Sequence, residues 1–148
     1  MFKEASVYTL KQLTETERHA YGLRVLTMRR WPRGIRKSDI DVWVPSAGPS
    51  VALLLALRAE ALPWEEFLAR YLEEQERQEC CQVISYESSG ASQRTLHGRR
   101  SLDVLMQLAG ERGIITLLCW EQGTQCHRFA LAKRLAALAA NSREEERS

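Results

Sequence analysis

Residues 114–120, Ile-Ile-Thr-Leu-Leu-Cys-Trp, are apolar at almost every position. Successive strand residues point to opposite faces, so a strand with one wet face alternates apolar and polar side chains. An unbroken apolar run of this length reads instead as a central strand covered on both faces. The sheet that holds it needs a layer on each side, and the rest of the chain offers candidates. Ser50 caps a helix running to about residue 61. A second helix has Pro63 in its first turn, where Glu65 and Glu66 complement the dipole. Its Trp64, Phe67, Leu68, Tyr71 and Leu72 fall at the spacing of one buried face. Ser101 caps a third helix over 102–111, ended by Gly113, and an Ala- and Leu-rich helix spans about 126–140. Segments 5–10, 23–28, 82–86 and 94–97 read as further strands. Helix follows strand repeatedly, so the expected class is α/β, three layers around a mainly parallel sheet. Residues 1–140 are read as one domain and 141–148 as a polar tail that frays.

The 148 residues suffice for one core without disulfide staples. Acidic and basic residues nearly cancel, 19 against 21, so any basic patch must be local rather than a property of the whole chain. The longest apolar stretch, Val51 to Leu57, is far short of the roughly 20 residues a spanning helix needs. The N-terminus shows no apolar signal region. Cys80, Cys81, Cys119 and Cys126 form no CxxC pair, so the reading is a cytoplasmic protein with reduced thiols.

Two clusters carry chemistry. Arg24, Arg29, Arg30, Arg33, Arg36 and Lys37 place six bases in fourteen residues at the end of a strand, with no acid before Asp39. They are either a solvated basic face or an anion site, since arginine offers paired hydrogen bonds to phosphate or carboxylate. They lie in or beside a long loop, 31–49, which holds three of the four prolines and is pinned by Trp31 and Trp43. The second cluster is Cys119, Glu121, Cys126, His127 and Arg128, around the end of the apolar strand. Cys126 begins the last helix, where the dipole and neighbouring cations lower a thiol pKa; burial against the strand raises it. The cysteine is therefore either reactive or a packing residue. The C-x6-C-H spacing matches no standard zinc finger, so no metal and no cofactor are expected. Residue 132 is Ala rather than the Arg of a phosphatase loop, and no dinucleotide, Walker or nucleophile-elbow motif is present. A third basic patch, Arg94, His97, Arg99 and Arg100, lacks the interleaved aromatics of a single-strand binder.

The block Arg24-Val-Leu-Thr-Met-Arg-Arg-Trp-Pro-Arg-Gly-Ile-Arg-Lys37 resembles the R-V-L-V-D-R-L-W-P-R-G-x-x-K signature of the domain of unknown function 488 family (DUF 488), in its YeaO-like branch. Trp43, Pro49-Ser50, the spaced Trp64, Phe67 and Tyr71, and the Thr116-Leu-Leu-Cys-Trp-Glu121 and Cys126-His-Arg128 ending extend the likeness over about 24–138. Met28 stands in place of the signature's Asp and Arg30 in place of a Leu, and the 82–100 segment is longer than the usual connection. The resemblance implies a single Rossmann-like three-layer domain and no known activity. It also implies that Arg29, Pro32, Arg33 and the Cys126-His127-Arg128 end belong to a shared pattern.

The expected function is binding of a small anionic, phosphate-bearing ligand. Arg29 and Arg33 clamp it, Arg24 and Arg128 support, and the helix start at Cys126 donates N–H groups. One alternative is an enzyme with Cys126 as nucleophile or redox thiol and His127 or Glu121 as proton carrier. Another is a nucleic-acid adaptor using 24–37 and 94–100, and a third a scaffold whose loop docks a partner.

Overall fold

The apolar run forms β6 (Ile115–Cys119), all five residues of which are buried. The computed structural model describes every residue except Thr124 and Ser148. Those two, in the expected 121–125 loop and at the end of the expected tail, lie outside the described residues. β6 runs parallel to β1 (Phe2–Ser6) on one side and β2 (Leu23–Leu26) on the other, with Phe2 and Leu23 both level with Ile115. β2 pairs in parallel with the two-residue β3 (Val42–Trp43). Antiparallel β4 (Cys80–Ser85) and β5 (Ser92–His97) complete the sheet, in the order β1-β6-β2-β3-β4-β5. The fold is α/β with a mostly parallel sheet.

Among the described residues six α-helices accompany these strands: α1 (Val7–Lys11), α2 (Glu15–Arg18), α3 (Val51–Arg58), α4 (Trp64–Glu76), α5 (Ser101–Arg112) and α6 (His127–Arg147). The apolar run is explained by its two covers. Ile115 and Leu117 join Val25 and Val42 against Phe67, Tyr71, Leu105, Leu131 and Leu135 of α4, α5 and α6. Leu118 and Leu26 face the other way, against Val7 and Leu10 of α1 and Ile35 and Ile40 of the long loop. One outer layer is therefore helical and the other is largely loop, wedged in place by Trp31 edge-on to Trp43 and Tyr86. Among the described residues no helix is long and apolar enough to cross a membrane.

Local differences from the sequence reading have physical causes. The first strand occupies 2–6 rather than 5–10. Its pairing with β6 ends at Ser6, whose hydroxyl accepts the Tyr8 N–H and starts α1. Val7 and Leu10 then face the core at helical spacing, so tertiary burial overrides the strand propensity of Val-Tyr-Thr. Ser50 caps α3 as expected, accepting from the Leu53 N–H. The cap of α5 is not Ser101, which is buried against the Ser46 hydroxyl at 2.7 Å. Asp103 performs that role, accepting the Arg100 N–H at 2.9 Å. α6 continues through the polar residues 141–147 while leaving them exposed.

Gly22 enters β2 with φ +64° and ψ −138°, and a Cβ there would stand 2.2 Å from the Ile114 carbonyl oxygen. This backbone region belongs almost wholly to glycine. Gly22→Ala is therefore expected to cost about 2 kcal/mol of stability, read from the urea midpoint at unchanged slope. An unmoved midpoint would show that the turn relaxes freely.

Candidate functional site

Because β1, β6, β2 and β3 run the same way, the segments that follow them gather at one edge of the sheet. Ligands of open α/β sheets bind at this strand-end edge. Here it holds a cleft of about 430 Å³. Its floor is Cys119, Cys126 and His127, where β6 ends and α6 begins. Its walls are largely apolar, from α3 and the start of α4, and include Leu54, Trp64 and Phe67. Arg29, Arg30, Arg58 and Glu121 bring charge to it. Val51, Leu55 and Trp120 also line it and are 47%, 58% and 52% exposed, a concentration of uncovered apolar surface at one mouth.

The end of β2 is held tightly. The 45–50 turn passes so close that a Cβ on Gly48 would stand 2.8 Å from the Arg29 nitrogen. Arg29 Nε donates to the Pro49 carbonyl at 3.1 Å, which aims the guanidinium along the turn. Tyr71 clamps the turn from below, donating to the Ala47 carbonyl at 2.6 Å. Burial, with the Glu74 charge, raises the Tyr71 pKa well above its ordinary value although Arg29 opposes, so this hydroxyl keeps its proton. Glu74 accepts from both the backbone and the hydroxyl of Ser50.

His127 is 8% exposed and packs edge-on to Tyr71. Its Nε2 lies 2.6 Å from the Thr27 carbonyl oxygen, which only accepts, so Nε2 carries the proton and Nδ1 the lone pair. Nδ1 stands 3.7 Å from Cys126 Sγ. Burial, and then the Arg128 charge, lower the His127 pKa to about 4 against the pull of the Thr27 carbonyl. The ring is therefore neutral at physiological pH.

The cysteines depart from the expectation of reduced thiols. Cys119 and Cys126 are joined as a disulfide beneath the cleft, while Cys80 and Cys81 are free. Cys126 is 5% exposed and Cys119 1%, so the packing side of the sequence reading has weight.

Of the four arginines expected to clamp an anion, Arg29 lines the cleft and the other three lie elsewhere. Arg24 forms a two-point pair with Asp41, at 3.1 and 2.9 Å. Arg33 is exposed, and its carbonyl accepts from the Tyr8 hydroxyl at 2.8 Å beside α1. Arg128 is 4% exposed, pairs with Glu4 at 2.7 Å, and donates to Cys119 Sγ and to the Glu121 and Gly123 carbonyls. Of the third basic patch, Arg100 is paired with Asp103 and Glu76. Sequence reasoning overlooked Arg58 and Thr27. Arg58 continues the exposed positions 51, 55 and 58 of α3, a helical spacing that was there to be read. Nothing local marks Thr27 as the partner of a residue a hundred positions away.

The fold and cleft define a mixed α/β domain with arginines, a cysteine pair and a buried neutral histidine at its strand-end edge. The chain belongs to the DUF488 family: the profile described as "Active DUF488-N3 subclade" matches residues 7–139. It is similar to the uncharacterized protein YeaO of Escherichia coli K12, 28% identical over 130 residues that cover 86% of this chain and 96% of the relative. It is also 40% identical to the uncharacterized protein Rv3073c of Mycobacterium tuberculosis H37Rv over 116 residues, covering 77% of this chain and 80% of the relative. No solved structure matches the chain significantly.

Proposed function

We propose that the protein binds a small phosphate-bearing ligand with an apolar or aromatic body in the strand-end cleft. The carrying observation is the cleft's composition: three arginines, Arg29, Arg30 and Arg58, beside uncovered apolar side chains from α3 and Trp120. Guanidinium groups take the anion and the apolar wall takes the body. Arg29 is the chief clamp, because its Nε bond to Pro49 orients it in advance. The arginines already paired or turned away, Arg24, Arg33 and Arg128, have at most an indirect part in this reading.

A ligand that binds only the folded chain stabilises it by RT ln(1 + [L]/Kd), about 2.7 kcal/mol at a hundredfold excess over Kd. Phenyl phosphate is expected to raise the melting temperature more than inorganic phosphate at equal ionic strength. Arg29→Ala/Arg30→Ala should abolish both shifts while leaving the unliganded midpoint within a degree or two. Equal shifts in the double variant would reduce the effect to general salt stabilisation.

A second reading, a thiol-dependent enzyme, draws on the cysteine pair beneath the cleft and on the word "Active" in the description of the matching subclade. After reduction, the Nδ1 lone pair of His127 is placed to accept a hydrogen bond from the Cys126 thiol. This reading requires Cys126 to alkylate with iodoacetamide in the folded, reduced protein. Labelling only after unfolding would eliminate it.

A further inference from the structure

We infer that the reduced floor of the cleft is a binding site for a borderline-soft divalent cation such as zinc, held by Cys119 Sγ, Cys126 Sγ and His127 Nδ1 with a fourth position open to the cleft. The three residues are buried, and their candidate ligand atoms all lie within 4.8 Å of one another. Two thiolates and an imidazole are the donor set that zinc prefers over calcium or magnesium. The spacing is not that of a zinc finger because the ligands are gathered by a strand end and the following helix start, not by a knuckle.

The histidine is the most telling part. A metal-bound imidazole commonly gives its other N–H to a backbone carbonyl, which fixes the tautomer and aims the ligating nitrogen. His127 has that arrangement: Nε2 is committed to the Thr27 carbonyl at 2.6 Å, and the lone pair of Nδ1 is left toward the sulfurs. Its 3.7 Å separation from Cys126 Sγ is close to the roughly 3.6 Å edge of a tetrahedron with ordinary zinc–sulfur and zinc–nitrogen bonds. Arg128 Nη1 donates to Cys119 Sγ at 3.4 Å, a hydrogen bond that a metal-bound sulfur also accepts, and the Arg128 charge is itself offset by Glu4. Two thiolates cancel a divalent charge, so the buried site is close to neutral.

Among the described residues the cluster numbers three, one short of a closed structural zinc site. All three line the cleft, so the remaining position faces the space assigned above to the anionic ligand. A water or an anionic oxygen completes the set there. Loading proceeds in two balanced steps. A phosphine takes the oxygen of one water and becomes its oxide, the sulfur–sulfur bond breaks and takes up the two electrons, and the two protons of that water give two thiols. The cation then displaces those two protons to solvent as it binds both sulfurs.

The test uses the full chain, reduced with a phosphine, desalted without oxygen, and titrated with cobalt and then zinc. One cobalt per chain is expected, with thiolate-to-cobalt charge-transfer bands and the strong d–d bands of a tetrahedral site, both bleached by zinc. His127→Gln should weaken cobalt binding at least tenfold. Cys119→Ser and Cys126→Ser should each remove part of the charge-transfer intensity. Cys80→Ser/Cys81→Ser should bind as the parent does. Absence of the bands in the reduced parent overturns the proposal, and that titration needs no variant to fold. Cobalt binding by His127→Gln as tight as in the parent, or loss of the bands in Cys80→Ser/Cys81→Ser, also overturns it. Arg29→Ala/Arg30→Ala should keep the cobalt site, so failure of phosphate binding and failure of metal binding are separately visible.

Discussion

Arg128→Ala is expected to lower the free energy of unfolding by about 2–4 kcal/mol, because one change removes several charge-assisted hydrogen bonds. Arg128 lies in the first turn of α6 and is 4% exposed. Its guanidinium reaches Glu4 on β1, the sulfur of Cys119 on β6, and the carbonyls of Glu121 and Gly123 in the connection between β6 and α6. It is thus the polar tie that holds three parts of the chain at one edge of the sheet. Removal leaves the buried Cys119 sulfur and the part-buried Glu4, Glu121 and Gly123 acceptors without this donor, and each loses a charge-assisted hydrogen bond. Arg128→Lys should restore the charge and less than half of the loss, because one ammonium cannot reach the same spread of acceptors. Glu4→Gln should cost only about 1 kcal/mol, since the Glu4 side chain is 31% exposed and water can replace part of the pair. Urea unfolding at pH 7 measures all three. A loss below 1 kcal/mol for Arg128→Ala would mean that the connection closes over the gap unaided.

The metal-free protein should lose about 3 kcal/mol of stability between pH 7 and pH 4 through His127 alone. Burial lowers the folded pKa from the ordinary 6.5 to about 4. In that window the unfolded chain takes up a proton that the folded chain refuses, so stability falls as pH falls. The contribution is fully present above about pH 6.5 and fully lost below about pH 4, and each unit of the gap is worth about 1.4 kcal/mol. Protonation would put a donor on Nδ1 beside Cys126 and a second positive charge beside Arg128. Carboxylates titrate in the lower part of the same range, so the informative quantity is the difference from His127→Gln. That difference should shrink by about 3 kcal/mol as pH drops from 7 to 4. A difference independent of pH would show that the folded chain opens enough to solvate the ring.

Features that depend on near neighbours were legible along the chain. Double-sided burial of residues 115–119 followed from their composition, because no wet face tolerates five such side chains in a row. The Ser50 cap and the buried face of α4 at Phe67 and Tyr71 are one- and two-turn patterns, and both were readable. The meeting of Arg29 with Cys126 and His127 followed from direction alone, since both segments leave parallel strands at the same end.

Which arginines are free to bind was not legible, because each guanidinium's partner is chosen by strand order. Arg24 finds Asp41 only because β3 lies beside β2, and Arg128 finds Glu4, 124 residues away, only because β1 lies beside β6. Six bases within fourteen residues look alike until the sheet gives Arg24 an acid and leaves Arg29 and Arg30 at the cleft. His127 follows the same logic: its residue type is local, but its neutrality comes from burial, with Tyr71 of α4 packed edge-on, and its tautomer from the carbonyl of Thr27, a hundred residues earlier. Short-range sterics and periodicity shape the elements. Desolvation and hydrogen bonding between distant elements set what their side chains can do.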